Sequence, residues 1–132
     1  MPFLPATYLL RPPLGADVDQ YHIWCDLIDN RRDRDFAAAV AAWLDALREA
    51  GHLASWRLSR RKLGLGPDGL GEFHIMIETD DLAQLDRAFQ TAATRTAPWE
   101  ALHQRVYALV RAPRFGLYRD FPDPAAPATP HA

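Results

Sequence analysis

The order of its elements predicts an α+β domain of the ferredoxin-like type: a four-stranded antiparallel sheet with helices on one face. Three observations predict it. Residues 20 to 28 and 72 to 78 alternate apolar and polar side chains with period two, the mark of half-buried strands. Residues 36 to 47 and 82 to 92 instead carry apolar side chains three and four apart, the mark of amphipathic helices. Each helical stretch lies between strand-like runs, so the chain reads strand, helix, strand, strand, helix with a helical extension, strand. Right-handed crossovers then place the first and third strands side by side in the centre and the second and fourth at the edges.

Residues 1 to 19 hold Pro2, Pro5, Pro12 and Pro13 around Tyr8-Leu9-Leu10 and read as an N-terminal arm with one edge-strand fragment. The domain proper is expected over 20 to 121. Its first strand sets Tyr21, Ile23, Cys25 and Leu27 on one face and His22, Trp24 and Asp26 on the other. Asp33 is placed to cap the first helix, whose stripe is Phe36, Val40, Trp43, Leu44 and Leu47 and which Gly51 stops. Residues 52 to 63 return to period two, with Ala54, Trp56 and Leu58 against Ser55, Arg57, Ser59 and Arg61. The glycine-rich LGLGPDGLG that follows lacks a Gly-Lys-Ser/Thr ending and leads into a strand, so it is a turned connection and not a phosphate loop.

In the third strand Phe73, Ile75 and Ile77 face the core and Glu72, His74, Met76 and Glu78 face away. Asp80 is placed to cap the second helix, with Leu82, Leu85, Phe89 and Ala92 inward. A third helical piece begins at Pro98, turns Trp99, Leu102, Val106 and Leu109 or Val110 inward, and ends at Pro113. The last strand, 114 to 121, sets Phe115 and Leu117 against Gly116, Tyr118 and Asp120. Residues 122 to 132, rich in proline and alanine, read as a flexible tail.

Composition narrows the function. A formal charge of -2, and a basic run at Arg57, Arg60, Arg61 and Lys62 that no second stripe extends, argue against nucleic acid or an anionic membrane as partner. No apolar run approaches the roughly 18 residues that span a bilayer. The N-terminus shows no signal-peptide pattern, and a single cysteine cannot form an internal disulfide, so the expected compartment is the cytoplasm. Cys25, between Ile23 and Leu27, reads as a buried inert thiol.

Chemistry gathers on the sheet face turned away from the helices. Trp24, Met76 and Tyr118 there call for a cover, and a second copy of the sheet is the simplest one, giving a homodimer with a barrel-like interior. His22 and His74 lie on the two central strands, where they can act as general base or acid near neutral pH, oriented by Asp26 or Glu78, with Tyr118 as a further proton donor. Isomerase, lyase or cofactor-free oxygenase chemistry needs little more. Trp24 and Met76 would wall a pocket for a small organic ligand, and Arg57 or Arg61 could clamp a carboxylate or phosphate. Two alternatives use the same residues. His22 and His74 with Glu72, Asp26 or Glu78 make a sensible ligand set for zinc, iron or manganese. Or the polar groups merely pair with one another, Arg57 with Glu72 or Glu78, inside a non-catalytic dimeric module. Of the other histidines, His52, His103 and His131, only His103 is placed to reach a cavity at the helix–sheet boundary.

The segments YHIWCDL, WRLSRRKLGLGP, LGEFHIMIE with DLAQLD, and FGLYRDFPD resemble a small bacterial family of unknown function, itself similar to a branch of the dimeric alpha-beta barrel superfamily. The resemblance covers about residues 20 to 124 and implies a homodimer with a cavity between helices and sheet or between the two sheets. The superfamily includes cofactor-free monooxygenases acting on polycyclic phenols, haem-degrading monooxygenases, chlorite-dismutase-like haem enzymes, muconolactone isomerase-like enzymes and members of no known activity. No catalytic motif of any one branch lies over this chain, so the resemblance implies a fold and leaves activity and cofactor open.

Overall fold

A computed structural model describes residues 18–122. Residues 1–17 of the expected arm, nearly all of the tail, and His131 lie outside the described residues; Val18 and Asp19, expected at the end of the arm, are buried, and Asp19 opens the first strand. Strands β1 (Asp19–Leu27), β2 (Ser55–Arg60), β3 (Phe73–Thr79) and β4 (Val110–Arg119) form one antiparallel sheet in the order β2-β3-β1-β4. Helices α1 (Asp33–Glu49), α2 (Leu82–Ala93) and α3 (Trp99–Tyr107) complete the α+β, ferredoxin-like architecture. None of these helices is long and apolar enough to cross a membrane.

The core lies between sheet and helices, as the two periodicities require. Cys25, Leu27, Phe73, Ile75 and Ile77 from the central strands meet Phe36, Val40, Trp43, Leu44 and Leu47 from α1, all of them buried. Removing one such large apolar side chain from water contributes roughly 1.5–3 kcal/mol, so this stripe-on-strand contact dominates the energetics of the domain. Helix α1 ends where Gly51 takes up φ +82°, and a short 3-10 turn at Asn30–Arg32 leads into it.

Several local expectations change. Asp33 does not cap α1: it is already helical, and Asp29 instead caps the preceding turn by accepting from the Arg31 amide. Asp81, not Asp80, caps α2, accepting from the Gln84 amide, while the Gln84 side chain reaches back to the Asp80 amide. The reciprocal bonds rotate α2 so that Gln84, Leu85 and Ala88 are buried, leaving Leu82 48% and Phe89 45% exposed. Strand β2 is shorter than the alternating run, six residues from Ser55, because Arg61 already belongs to the connection. Pro113 does not end a helix. Helix α3 stops at Tyr107, and β4 runs through Pro113 by means of a bulge: Trp24 pairs with Arg114 and Asp26 with Arg111, and Ala112 absorbs the extra residue at φ +52°.

Gly71, two residues before β3, lies hard against the backbone of β1. A Cβ at this position would stand 2.3 Å from the backbone carbonyl carbon of Cys25. Gly71→Ala is therefore expected to destabilise the domain by about 3 kcal/mol, because backbone must move to admit the methyl group. Gly51→Ala, where nothing lies within 4 Å and only the positive φ is strained, should cost about 1 kcal/mol. Urea unfolding of the two variants checks the ranking; equal losses would contradict the packing described for Gly71.

Candidate functional site

The site follows from how β1 sits on β3. Ile23 pairs with Ile75 and Cys25 with Phe73, which turns both pairs toward the helices. The residues between them, His22 opposite Met76 and Trp24 opposite His74, then share the free face. His22 and His74 are diagonal neighbours, and their rings meet: His22 Nδ1 lies 2.8 Å from His74 Nε2, with the ring planes 7° apart. One of the two nitrogens carries the proton and donates it to the other.

Aromatic rings frame this dyad. The Trp24 ring lies 5.4 Å from His22 and 5.0 Å from His74, nearly parallel to both, and Tyr118 presents its ring edge-on to His22 at 5.0 Å. Gly116, directly opposite His22 on β4, leaves room for them: a Cβ there would lie 3.2 Å from both the Trp24 and Tyr118 rings. Burial holds the pKa of His22 below its ordinary value. His74 is lowered by burial as well, and further by the charge that His22 would carry. The dyad is therefore neutral at pH 7, with a lone pair available.

The carboxylates expected beside it go elsewhere. Asp26 accepts from the Glu72 amide at 2.9 Å, joining β1 to the start of β3. Glu72 is drawn to the Arg60 guanidinium at 2.8 Å, and Arg60 also reaches Asp33. Glu78 accepts from Ser55. Among the described residues no group of three His, Cys, Asp or Glu side chains is arranged to hold a metal ion, so the set of His22, His74 and Glu72 is not assembled within one chain. The expected pairing of Arg57 with Glu72 gives way to Arg60: Arg57 lies opposite Met76, exposed and without an ion pair among the described residues.

Two concavities flank the central strands, one on each face. On the free face a cleft of about 200 Å³ opens beside the dyad, lined by Trp24, His74, Ser59, Arg60, Arg61, Glu72 and parts of the connection at 65–67 and 70–71. On the helix side two adjoining pockets of about 130 and 110 Å³ share Ile23, Trp43, His103 and Phe115. They are almost wholly apolar, and the Trp43 indole N–H beside them is buried without an acceptor. His103 stacks obliquely on Trp43 at 5.3 Å and is the histidine that reaches this space, as its helical position suggested. Cys25 lines one of these pockets, but burial and the neighbouring Asp26 push its thiol up to about 11, which suits an inert group. The structure thus brings together His22, His74, Trp24, Met76 and Tyr118, and sets Arg61 at the cleft. Asp26, Glu72 and Glu78 are engaged by other partners, Glu72 while lining the same cleft as His74, and Arg57 is exposed opposite Met76. The pocket walls contributed by Tyr21, Phe89 and Phe115, and by the loop at Leu65 and Gly66, were not foreseen. Period-two patterning tells which face a side chain takes, not where helix and strand fail to meet.

The fold has solved counterparts. SnoaB from Streptomyces nogalater, described as a cofactor-independent oxygenase, superposes with a TM-score of 0.59 at 14% identity, over 82% of this chain and 100% of its own. HapK from Hahella chejuensis gives the same score and identity over 82% of this chain and 97% of its own. A dimeric ferredoxin-like protein of unknown function from Thermobifida fusca matches with a TM-score of 0.53 at 15% identity, over 78% of this chain and 91% of its own. At such identities the likeness is one of fold. No curated protein matches the sequence. A family model does match over residues 18–130, and the chain accordingly belongs to DUF6614, a family of unknown function.

Proposed function

We propose that this protein is a homodimeric small-molecule-binding protein or small enzyme that performs acid–base chemistry at the His22–His74 dyad. The observation that carries the reading is the 2.8 Å contact between His22 Nδ1 and His74 Nε2. Two neutral imidazoles in contact can pass a proton between them, so a base facing the cleft through His74 is backed by a second site that accepts the charge. Trp24 and Met76 supply apolar surface, and Tyr118 a phenol beside His22.

The dimer completes the site. Tyr118 is 60% exposed on the free sheet face, next to the dyad and Trp24, and an aromatic patch of this kind favours coverage. The Thermobifida fusca counterpart is described as dimeric, which supports sheet-on-sheet association here. Closure would remove water from the imidazoles and depress their pKa values further.

A second reading is favoured by the helix-side pockets. SnoaB is described as cofactor-independent, and cofactor-free oxygenase chemistry calls for an apolar chamber with a single base. The chamber containing His103 meets that description, with the Trp43 N–H as a donor for a bound oxygen atom.

Three outcomes are expected. Incubated in D2O with a panel of enolisable ketones and hydroxylated aromatic compounds, the protein should catalyse proton exchange that His22→Asn or His74→Gln lowers by about 100-fold. Exchange untouched by both but lost in His103→Gln would transfer the chemistry to the helix side. In solution, scattering should give the mass of two chains, and Tyr118→Asp should shift it to one; a wild-type mass of one chain would end the dimer reading. Stability should also fall with pH in a particular window. Both histidines bind protons less readily when folded, so the unfolded chain takes up more protons as pH drops below about 6.5. Melting temperature should be level above that value and decline below it, before the carboxylates titrate, and a His22→Asn, His74→Gln double variant should lose this part of the slope.

A further inference from the structure

We propose that the cleft beside the dyad takes a planar organic monocarboxylate, with Arg61 as the residue that selects its charge. The inference rests on the reading of His22 and His74 as the chemical centre, and names what would be presented to it. Charge is the first argument. Of the ionised groups lining the cleft, Arg60 and Glu72 satisfy each other, with Asp33 as a second partner for Arg60. Arg61 has no ion pair among the described residues. Its Nη2 donates to the Leu70 carbonyl, which fixes the guanidinium against the loop without neutralising it. A cation held in place and left uncompensated in a concave site loses little further freedom when an anion arrives.

Position is the second argument. Gly66 is what lets Arg61 lie along the loop, since a Cβ there would stand 2.6 Å from Arg61 Nε. The loop therefore reserves space for this guanidinium, facing a wall made by Trp24 and His74, whose rings are 10° from parallel. Ser59, opposite His74 in the β2–β3 pairing, adds a hydroxyl to the same wall.

Ligand class follows from count and size. One uncompensated positive charge matches a monoanion, and the guanidinium fork matches a carboxylate. A phosphate dianion would leave excess negative charge: among the described residues that line the cleft there is no helix N-terminus and no second cation without an ion pair, and Arg114 approaches the same loop at Gly69 without lining the cleft. The volume of about 200 Å³ lies below the roughly 300–1,000 Å³ of pockets for drug-sized ligands, which points to an acid of one ring. With its carboxylate on Arg61, the body of such an acid rests on Trp24 and against His74, the cleft-side member of the dyad.

The test is calorimetric titration of the full chain with benzoate, with its neutral isostere benzamide, and with inorganic phosphate. Benzoate should bind at least about tenfold more tightly than benzamide and more tightly than phosphate. Arg61→Gln should erase the preference for benzoate. Gly66→Ala keeps every charge but displaces Arg61, and should weaken benzoate severalfold with benzamide unchanged. Equal binding of benzoate and benzamide, a preference that survives Arg61→Gln, or phosphate binding the tightest would each overturn the proposal. The readout is binding alone, so a protein whose dyad moves no proton would still show the preference, and the two readings fail separately.

Discussion

The antiparallel register of β1 on β3 is the constraint on which the rest depends. With Ile23 opposite Ile75, every odd residue of both strands turns to the helices and every even residue to the free face. A slip of one residue would carry the whole apolar set into water and the histidines into the core. Three features hold the register. Cys25, Phe73, Ile75 and Ile77 are buried against α1; Gly71 allows backbone contact that no other residue could make; and Asp26 accepts from the Glu72 amide just where β3 begins. Asp26 thus contributes to the frame of the site. By tying the two strands at one end, it aligns the His22–His74 diagonal a few residues away.

That diagonal places two ionisable groups in contact without an acid to compensate either. The arrangement is tolerable because neither need be charged: a neutral imidazole has one donor and one acceptor nitrogen, so one ring can donate to the other across the contact while the outer nitrogens stay available. Uptake of one proton keeps the bond, since an imidazolium still donates to its neighbour. A second proton would set two N–H groups against each other. The pair is accordingly a device for holding one proton at most, and the lowered pKa of His74, to which His22 contributes, expresses the same fact.

Much of this is legible in the sequence, and the boundary is physical. Periodicity of Phe73, Ile75 and Ile77 against His74, Met76 and Glu78 reports the faces of β3, and the order of elements reports which strands are neighbours. The burial of Phe36, Val40, Trp43, Leu44 and Leu47 follows from their spacing alone. Choices between near-equal partners are not legible. Glu72 could meet Arg57 or Arg60, and the strand end decides for Arg60 because Asp33 from α1 stands there as well. Asp80 and Asp81 are equal as candidate caps until the Gln84 side chain closes on one amide rather than the other. Pro113 reads as a helix stop unless the bulge at Ala112 is foreseen, and only pairing with β1 creates that bulge. The contact of His22 with His74 belongs to the same class, since it requires a register that two alternating runs leave open.

Strand β1 has a further consequence because it forms a wall of both concavities. Ile23 lines the helix-side pockets, and its neighbour Trp24 lines the cleft. The two spaces are separated by the thickness of one strand, yet they differ in kind. The helix-side space is apolar, with one imidazole and an unpaired indole N–H; the cleft carries a free arginine and half of a histidine pair. Alternation along a half-buried strand generates this difference automatically, because side chains chosen for the core on one face leave the other face open to polar groups. Chemistry requiring water exclusion without charge fits the first space, and recognition of an anion fits the second. A bond from Asp26 to Glu72 and a glycine at 71 keep the strand between them in place, so the separation of the two environments rests on the same contacts that set the register.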